Sequence, residues 1–350
     1  MIQRYQRGLV VGKFCPLHCG HELLIKHALD CCSEVIVISY TKPEFDGCDR
    51  EVRGAWLTAL FPQVTQLVIN DATLEHLLRL QGIFDLQTIP HNDAPDQGHR
   101  EFVAWLCKTV LRKTVNAVFT SEEYGDGFAA TLTECFRAQE PSALPVAHIS
   151  VDQQRLIVPV SGSQIRANPH AHRNFLSPEV YASFVKKICI LGGESSGKST
   201  LANALAERLQ TVWVPEYGRE LWLEKNGQLQ FEDMLKIGLE QLLHERLLCR
   251  SAHTWLVCDT SALTTFFYSL HLFGAADPLL EQMAGEKYDR VFLCNPDFPF
   301  VQDGTRRDDS FRMRQHQWYV EQLTQRNIEF TVVHASVSER VDQIISSLSE

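Results

Sequence analysis

Residues 192–199 read Gly-Gly-Glu-Ser-Ser-Gly-Lys-Ser, after the apolar run Lys187-Ile188-Cys189-Ile190-Leu191 and before a helical pattern over 198–209. A G-x-x-x-x-G-K-S segment between a strand and a helix constrains the chain tightly. Its glycines let the backbone wrap an anion, turning successive N–H groups inward. The helix that follows points its positive end at the same place. Gly192 and Gly197 supply the bends, Lys198 neutralises the β- and γ-phosphates of ATP, and Ser199 offers a hydroxyl to Mg²⁺. The contacts expected with the nucleotide are Gly192, Gly193, Glu194, Ser195, Ser196, Gly197, Lys198, Ser199 and Thr200. The loop begins in the middle of the chain, so the first half needs its own explanation.

A chain of 350 residues is long enough for two domains, each with a core. An apolar share of 45% and a charged share of 22% are those of a soluble globular protein. No stretch approaches the roughly 18 uninterrupted apolar residues of a membrane span, so no transmembrane segment is expected. Met1-Ile2-Gln3-Arg4-Tyr5-Gln6-Arg7 is not followed by the apolar region of a signal peptide, and a cytoplasmic location is expected. The 11 cysteines are odd in number and scattered, which reads as reduced thiols. A net charge of −10 argues against binding nucleic-acid backbone but allows a local basic pocket.

Both halves alternate short apolar runs with helical patterns, which implies parallel sheets covered by helices. In the first half, strands are expected at Gly8–Gly12, Val35–Ile38, 66–70 and 116–120, with helices over 20–32, 51–61 and 99–112. In the second half, strands are expected at Lys187–Leu191, Trp255–Asp259, Val291–Cys294 and Ile328–Val333. Helices are expected there over 198–209, 231–250, 310–325 and 336–348. The boundary falls near 168–187, where Ser177 and Pro178 start a short helix that finishes the first domain.

The phosphate loop needs an acidic partner at the end of a neighbouring strand. Asp259 fits, holding Mg²⁺ directly or through water; the competing reading is an aspartate that caps the next helix. After the loop's helix comes Glu216-Tyr217-Gly218-Arg219-Glu220. Here Glu216 can orient or deprotonate a sugar hydroxyl, Tyr217 can stack on a base and Arg219 can clamp a phosphate. A helix start whose acidic residues suit the dipole is the competing reading. The loop Asp303–Asp309 contains Arg306 and precedes a helix with Arg312 and Arg314. These arginines can close over a transferring phosphate, or belong to a solvated helix face.

Gly12-x-Phe14-x-Pro16-x-His18-x-Gly20-His21 also follows a strand and opens a helix. Histidines there can donate hydrogen bonds to triphosphate oxygens, and Gly20 lets the nucleotide approach the backbone. In a nucleotidyl transfer the nucleophile is already a phosphate anion. Catalysis is then positioning and neutralisation of charge at the α-phosphorus. Near the end of this half, Ser161-Gly162-Ser163-Gln164-Ile165-Arg166 makes a second anion site.

The histidine motif with Ser161-x-Ser163-x-Ile165-Arg166 resembles the nucleotidyltransferase superfamily that includes nicotinamide-mononucleotide adenylyltransferases. Followed by Gly192–Ser199 and Glu216–Glu220, the order resembles the NadR family over nearly the whole chain. Ser121-Glu122-Glu123-Tyr124-Gly125 and Arg53-x-x-Trp56 are similar to further family segments. The resemblance implies an α/β protein of two domains, both with parallel sheets. Residues 1–186 would form a Rossmann-like nucleotidyltransferase fold and 187–350 a P-loop kinase fold. It implies a bifunctional enzyme of NAD salvage. The second domain would phosphorylate nicotinamide riboside with Mg²⁺ and ATP. The first would join AMP from ATP to nicotinamide mononucleotide, giving NAD and pyrophosphate. His18, His21, Lys198, Glu216 and Asp259 would be catalytic. Gly12, Phe14, His18, Gly20, His21, Ser161, Ser163 and Arg166 would bind ATP in the first domain. Arg306 would join the loop residues in the second, and Trp56, Glu216, Tyr217 and Arg219 would bind substrate. A homo-oligomer is implied, as is functional coupling to a riboside transporter, since the kinase traps imported riboside by charging it.

Two departures from the family pattern stand out. Some relatives carry an N-terminal helix-turn-helix and act as repressors. Here the first strand starts close to Met1, so no DNA partner is expected. Ser163 stands where threonine is common, with Gly162 before it; the hydroxyl is kept. An alternative keeps the kinase and makes the first domain a weak transferase or an NAD-sensing module. A third changes the acceptor nucleoside, because such motifs fix reaction type better than acceptor.

Overall fold

Gly8-Leu9-Val10-Val11 and Ile188-Cys189-Ile190-Leu191 are apolar on both faces, and each lies in the central strand of a five-stranded parallel sheet. Continuous apolar runs suit this position, because helices cover both faces of the sheet. The computed structural model describes residues 4–84, 87–299 and 308–348. The chain divides into two units, Met1–Ser183 and Phe184–Glu350.

The first unit runs β1 (Tyr5–Val11), α1 (Cys19–Cys31), β2 (Cys32–Tyr40), α2 (Arg50–Leu60), β3 (Thr65–Ile69), α3 (Asp71–Leu80) and α4 (Asp96–Trp105). A π-helical turn, Leu106–Val110, extends α4. Then come β4 (Ala117–Thr120), α5 (Gly125–Arg137), β5 (Ala147–Ser150), α6 (Gly162–Ala167) and α7 (Pro178–Tyr181). The strand order is β3-β2-β1-β4-β5. After β1 the chain moves to one side of the sheet, and with β4 it returns to the other. The loop leaving β1 therefore opens at the point where strand order reverses, which is where such sheets bind ligands.

The second unit runs β6 (Lys186–Leu191), α8 (Lys198–Leu209), β7 (Trp213–Val214), α9 (Tyr217–Glu224), α10 (Phe231–Cys249), β8 (Trp255–Asp259) and α11 (Ala262–Phe273). It continues with α12 (Pro278–Met283), β9 (Arg290–Cys294), α13 (Asp309–Gln325), β10 (Thr331–Val333) and α14 (Val337–Leu348). The order β10-β9-β6-β8-β7 again puts the first strand at the centre. Alternate residues of β6 feed two cores. Ile188 and Ile190 pack with Leu201, Leu205 and Ile344, and Cys189 and Leu191 pack with Leu263, Phe266 and Tyr319. Among the described residues no helix is long and apolar enough to cross a membrane.

Candidate functional sites

In the first unit, the loop leaving β1 is built around two histidines. His18 is the N-cap of α1, and its Nδ1 accepts the Gly20 N–H at 3.1 Å. His21 Nδ1 accepts the His18 N–H at 3.3 Å, closing a reciprocal capping box. Both Nδ1 atoms are acceptors, so each neutral ring carries its proton on Nε2. The rings stack 3.9 Å apart, and Phe14 backs His21 edge-on at 4.9 Å. Burial, then the nearby Arg155 charge, lowers the His18 imidazole to about 4. Burial and His18 hold His21 well below its ordinary value. The pair is thus neutral at pH 7, each ring carrying one N–H donor, with the Pro16 backbone beside that of His21.

Those shifts set a pH dependence. An unfolded histidine binds a proton below about pH 6.5, whereas folded His18 does so only near 4. Between those values the unfolded chain holds more protons, so stability falls as pH falls. The His18 contribution is complete above about pH 6.5 and, on the order of 3 kcal/mol, is lost as pH approaches 4. Chemical denaturation of the wild type and a His18→Asn variant from pH 7 to pH 4 should show a shallower decline for the variant.

The remaining parts of this site come from distant sequence. Arg166, on α6, donates to the Cys15 carbonyl and to Ser163 Oγ at 3.0 Å, and lies 4.3 Å over the Phe45 ring. Gly162 permits this: a Cβ there would sit 3.1 Å from the Cys15 carbonyl oxygen. Ser39 Oγ donates to the Lys13 carbonyl, and the buried Arg53 donates to Ser39 Oγ at 2.7 Å and to Glu44 at 2.9 Å. Ser161 caps α6 in a box with Gln164, so its hydroxyl is engaged locally.

Three expectations change here. The room that Gly20 makes also serves the cap, since a Cβ there would meet the His18 ring at 3.0 Å. Phe14 is fully buried behind His21, ring and backbone alike, so it supports the histidine and does not contact a ligand. Trp56 is 3% exposed, and its indole N–H donates to Ser183 Oγ at 2.9 Å. It is a core residue, with no ring face left to stack on a nucleotide. Phe45 was missed because its role depends on a cation 121 positions away, Arg166.

In the second unit, the phosphate loop is held by its own side chains and by α14. Gly192 (φ 154°) and Gly197 (φ 83°) take conformations that L side chains rarely adopt. Ser196 Oγ donates to the Gly193 carbonyl at 2.7 Å. Arg340, fully buried, donates to the carbonyls of Ser196 and Asn295, both at 2.8 Å. Glu194 N–H donates to Gln315 Oε1, and Tyr268 O–H to Glu194 Oε1, both at 2.9 Å. Lys198 Nζ lies 3.2 Å from the Gly193 carbonyl.

Asp259 sits at the end of β8, whose register pairs it with Ile190 just before the loop. The next helix is capped by Ser261 instead, so the capping reading of Asp259 falls. Asp259 is 1% exposed, the Ser199 hydroxyl helps to hold its carboxyl down, and its Oδ1 has no hydrogen-bond partner among the described residues. Burial raises the carboxyl, opposed by Lys198 and Ser199. A dry, half-satisfied carboxylate beside a serine hydroxyl fits Mg²⁺.

A cavity of about 600 Å³ opens from the loop. Glu194, Lys198, Ser199, Glu216 and Arg219 line its charged part, and Trp222, Met234, Tyr268 and Phe273 its apolar part. Glu216 stands at the N-cap of α9 but makes no side-chain cap. Burial raises its carboxyl, with Lys198 opposing. Tyr217 does not line the cavity; its ring packs edge-on against His244 at 5.5 Å. On α9 it is Trp222 that lines the cavity, three residues after Arg219 on the same helix face. Helical spacing could have selected it. Arg312 is not a lid residue: it is 5% exposed and donates to the Phe298 carbonyl at 2.8 Å. Arg314 is exposed on α13, near Ser310. Arg306 lies outside the described residues.

Each unit thus places a candidate anion site at the carboxyl end of its central parallel strand. Together they define a Rossmann-like nucleotidyltransferase fold followed by a P-loop kinase fold. Residues 187–340 match the AAA domain family. The chain is 30% identical over 93% of its length to the trifunctional NAD biosynthesis/regulator protein NadR of Salmonella typhimurium, covering 78% of that protein. A crystal structure of NadR protein in complex with NR matches with a TM-score of 0.67 at 19% identity, covering 98% of this chain and 95% of that one. A second, in complex with NAD and AMP-PNP, matches at 0.63 and 20% identity with the same coverage. The chain belongs to the NadR family.

Proposed function

We propose that this chain is a bifunctional transferase of NAD biosynthesis. Its second unit phosphorylates nicotinamide riboside, and its first joins the resulting mononucleotide to AMP. In the kinase step Glu216 takes the proton from the riboside 5′-hydroxyl as that oxygen attacks the γ-phosphorus of ATP, and ADP leaves. A carboxylate raised by burial is a better base than an exposed one. Lys198 and the loop N–H groups hold the charge of the transferring phosphate. Mg²⁺ bound by Ser199 and Asp259 would add positive charge against the β- and γ-phosphates. The riboside carries a cationic pyridinium, which suits a cavity with Glu194, Trp222 and Tyr268 in its walls.

In the transferase step a mononucleotide phosphate oxygen attacks the α-phosphorus of ATP and pyrophosphate leaves. The Nε2–H groups of His18 and His21 and the Arg166 guanidinium neutralise the growing charge. The observation that carries this reading is the capping box, which fixes the two buried, neutral histidines as Nε2–H donors at the head of α1. Supplying nicotinamide mononucleotide and Mg-ATP directly tests it. Formation of NAD and pyrophosphate in equal amounts is expected. Saturable NAD binding with no NAD formed would instead make the first unit a sensing module.

A further inference from the structure

We propose that the outer face of α10 is an interface between two copies of this chain, packed antiparallel about a two-fold axis at Leu243. It does not depend on the reactions above. α10 buries Met234, Ile237, Gln241, Glu245 and Cys249 on its inner side. A helix at the surface of a monomer would carry polar residues on the other side. Instead, Leu239, Leu243 and Leu247 lie one turn apart there, 48%, 46% and 47% exposed. α12 packs close beside α10 because Gly238 has no Cβ to strike Leu280 and Met283. The two helices bound a groove of about 410 Å³ whose walls include Leu239, Leu243, Leu279, Met283, Glu240 and Arg246.

The spacing of these residues identifies the occupant. A two-fold axis through Leu243 sets each residue on one side of it opposite the residue equally far on the other side in the second copy. Leu239 then meets Leu247, and Glu240 meets Arg246, each pair occurring twice. Neither Glu240 nor Arg246 has an ion-pair partner among the described residues of its own chain. A parallel pairing would instead set glutamate against glutamate. Lys236 and Arg250 face each other under the same axis, which ends the apolar seam at the three leucines.

Sedimentation velocity on the full chain tests this. The wild type should sediment as an even-numbered assembly of 39.8 kDa chains, and Leu243→Asp should halve its mass. Glu240→Arg and Arg246→Glu each turn two attractive pairs into two repulsive ones, weakening self-association by about tenfold or more. Mixing the two single variants restores both pairs and should restore assembly; so should the double variant. All three side chains are exposed or partly exposed, and the charge reversals leave the apolar core untouched. A monomeric wild type, an unchanged mass for Leu243→Asp, or single reversals that mixing does not rescue would overturn the proposal. The last result would point to a different occupant of the groove.

Discussion

Lys198→Ala is expected to lower riboside phosphorylation by about 10³-fold while leaving adenylyl transfer to supplied mononucleotide at the wild-type rate. The loop keeps its shape without this side chain. Gly192 and Gly197 set its backbone, Ser196 Oγ closes onto the Gly193 carbonyl, and Arg340 fixes the Ser196 carbonyl from α14. The loss should therefore fall on kcat and not on folding. A second consequence concerns pH. The Lys198 charge lowers both Glu216 and Asp259, against the burial that raises them. Without it both carboxyls rise further, so the acid limb of residual kinase activity moves to higher pH. Steady-state kcat of each step against pH measures both effects. Equal loss of the two activities would contradict the separation of the sites.

His18→Asn is expected to do the reverse, lowering adenylyl transfer by about 10²- to 10³-fold with the kinase unaffected. Asparagine is among the best N-cap residues, and its Oδ1 can accept the Gly20 N–H that His18 Nδ1 now accepts. What it lacks is a donor at the position of Nε2. The substitution thus separates the cap from the phosphate contact, which alanine would not. Lost ring stacking on His21 should cost about 1 kcal/mol, too little to unfold the unit. Initial rates of NAD formation from mononucleotide and ATP, beside a denaturation curve, give the answer. A variant with full transferase activity would make His18 a cap and nothing more.

Most of the architecture was legible in the sequence. β8 and α8 fall on the expected residues, Trp255–Asp259 and 198–209, because an apolar strand run and a phosphate-loop helix have sharp ends. The expected strand over 328–333 shrinks to Thr331–Val333, since its first residues complete a turn after α13. Of the helices that the sequence pattern does not mark, α11 and α5 are hidden for different reasons. α11, Ala-Leu-Thr-Thr-Phe-Phe-Tyr-Ser-Leu-His-Leu-Phe, is apolar nearly all round and buried up to Ser269, so it shows no amphipathic period. α5 opens with Gly-Asp-Gly, a turn signal that its later residues override by packing on β4 and β5.

The candidate sites were legible where contacts are local in sequence and illegible where they are not. The cap formed by His18, Gly20 and His21 spans a few residues, as does the phosphate loop. Arg166 reaches Cys15 across 151 positions, and Arg340 reaches Ser196 across 144. Only the fold joins them. Tyr217 and Trp56 failed for a third reason. An aromatic residue close in sequence to a charged motif can turn either toward the cavity or into the core. For Tyr217 the three-residue spacing that puts Trp222 above Arg219 decides against it, and for Trp56 burial against Ser183 does so.

The most direct measurement is one incubation of the full chain with nicotinamide riboside, Mg²⁺ and excess ATP, following mononucleotide, NAD, ADP and pyrophosphate together. Two consecutive sites predict that mononucleotide rises first, NAD follows after a lag, and each NAD is matched by one ADP and one pyrophosphate. Mononucleotide that accumulates without NAD, or riboside that is not consumed at all, would contradict the account.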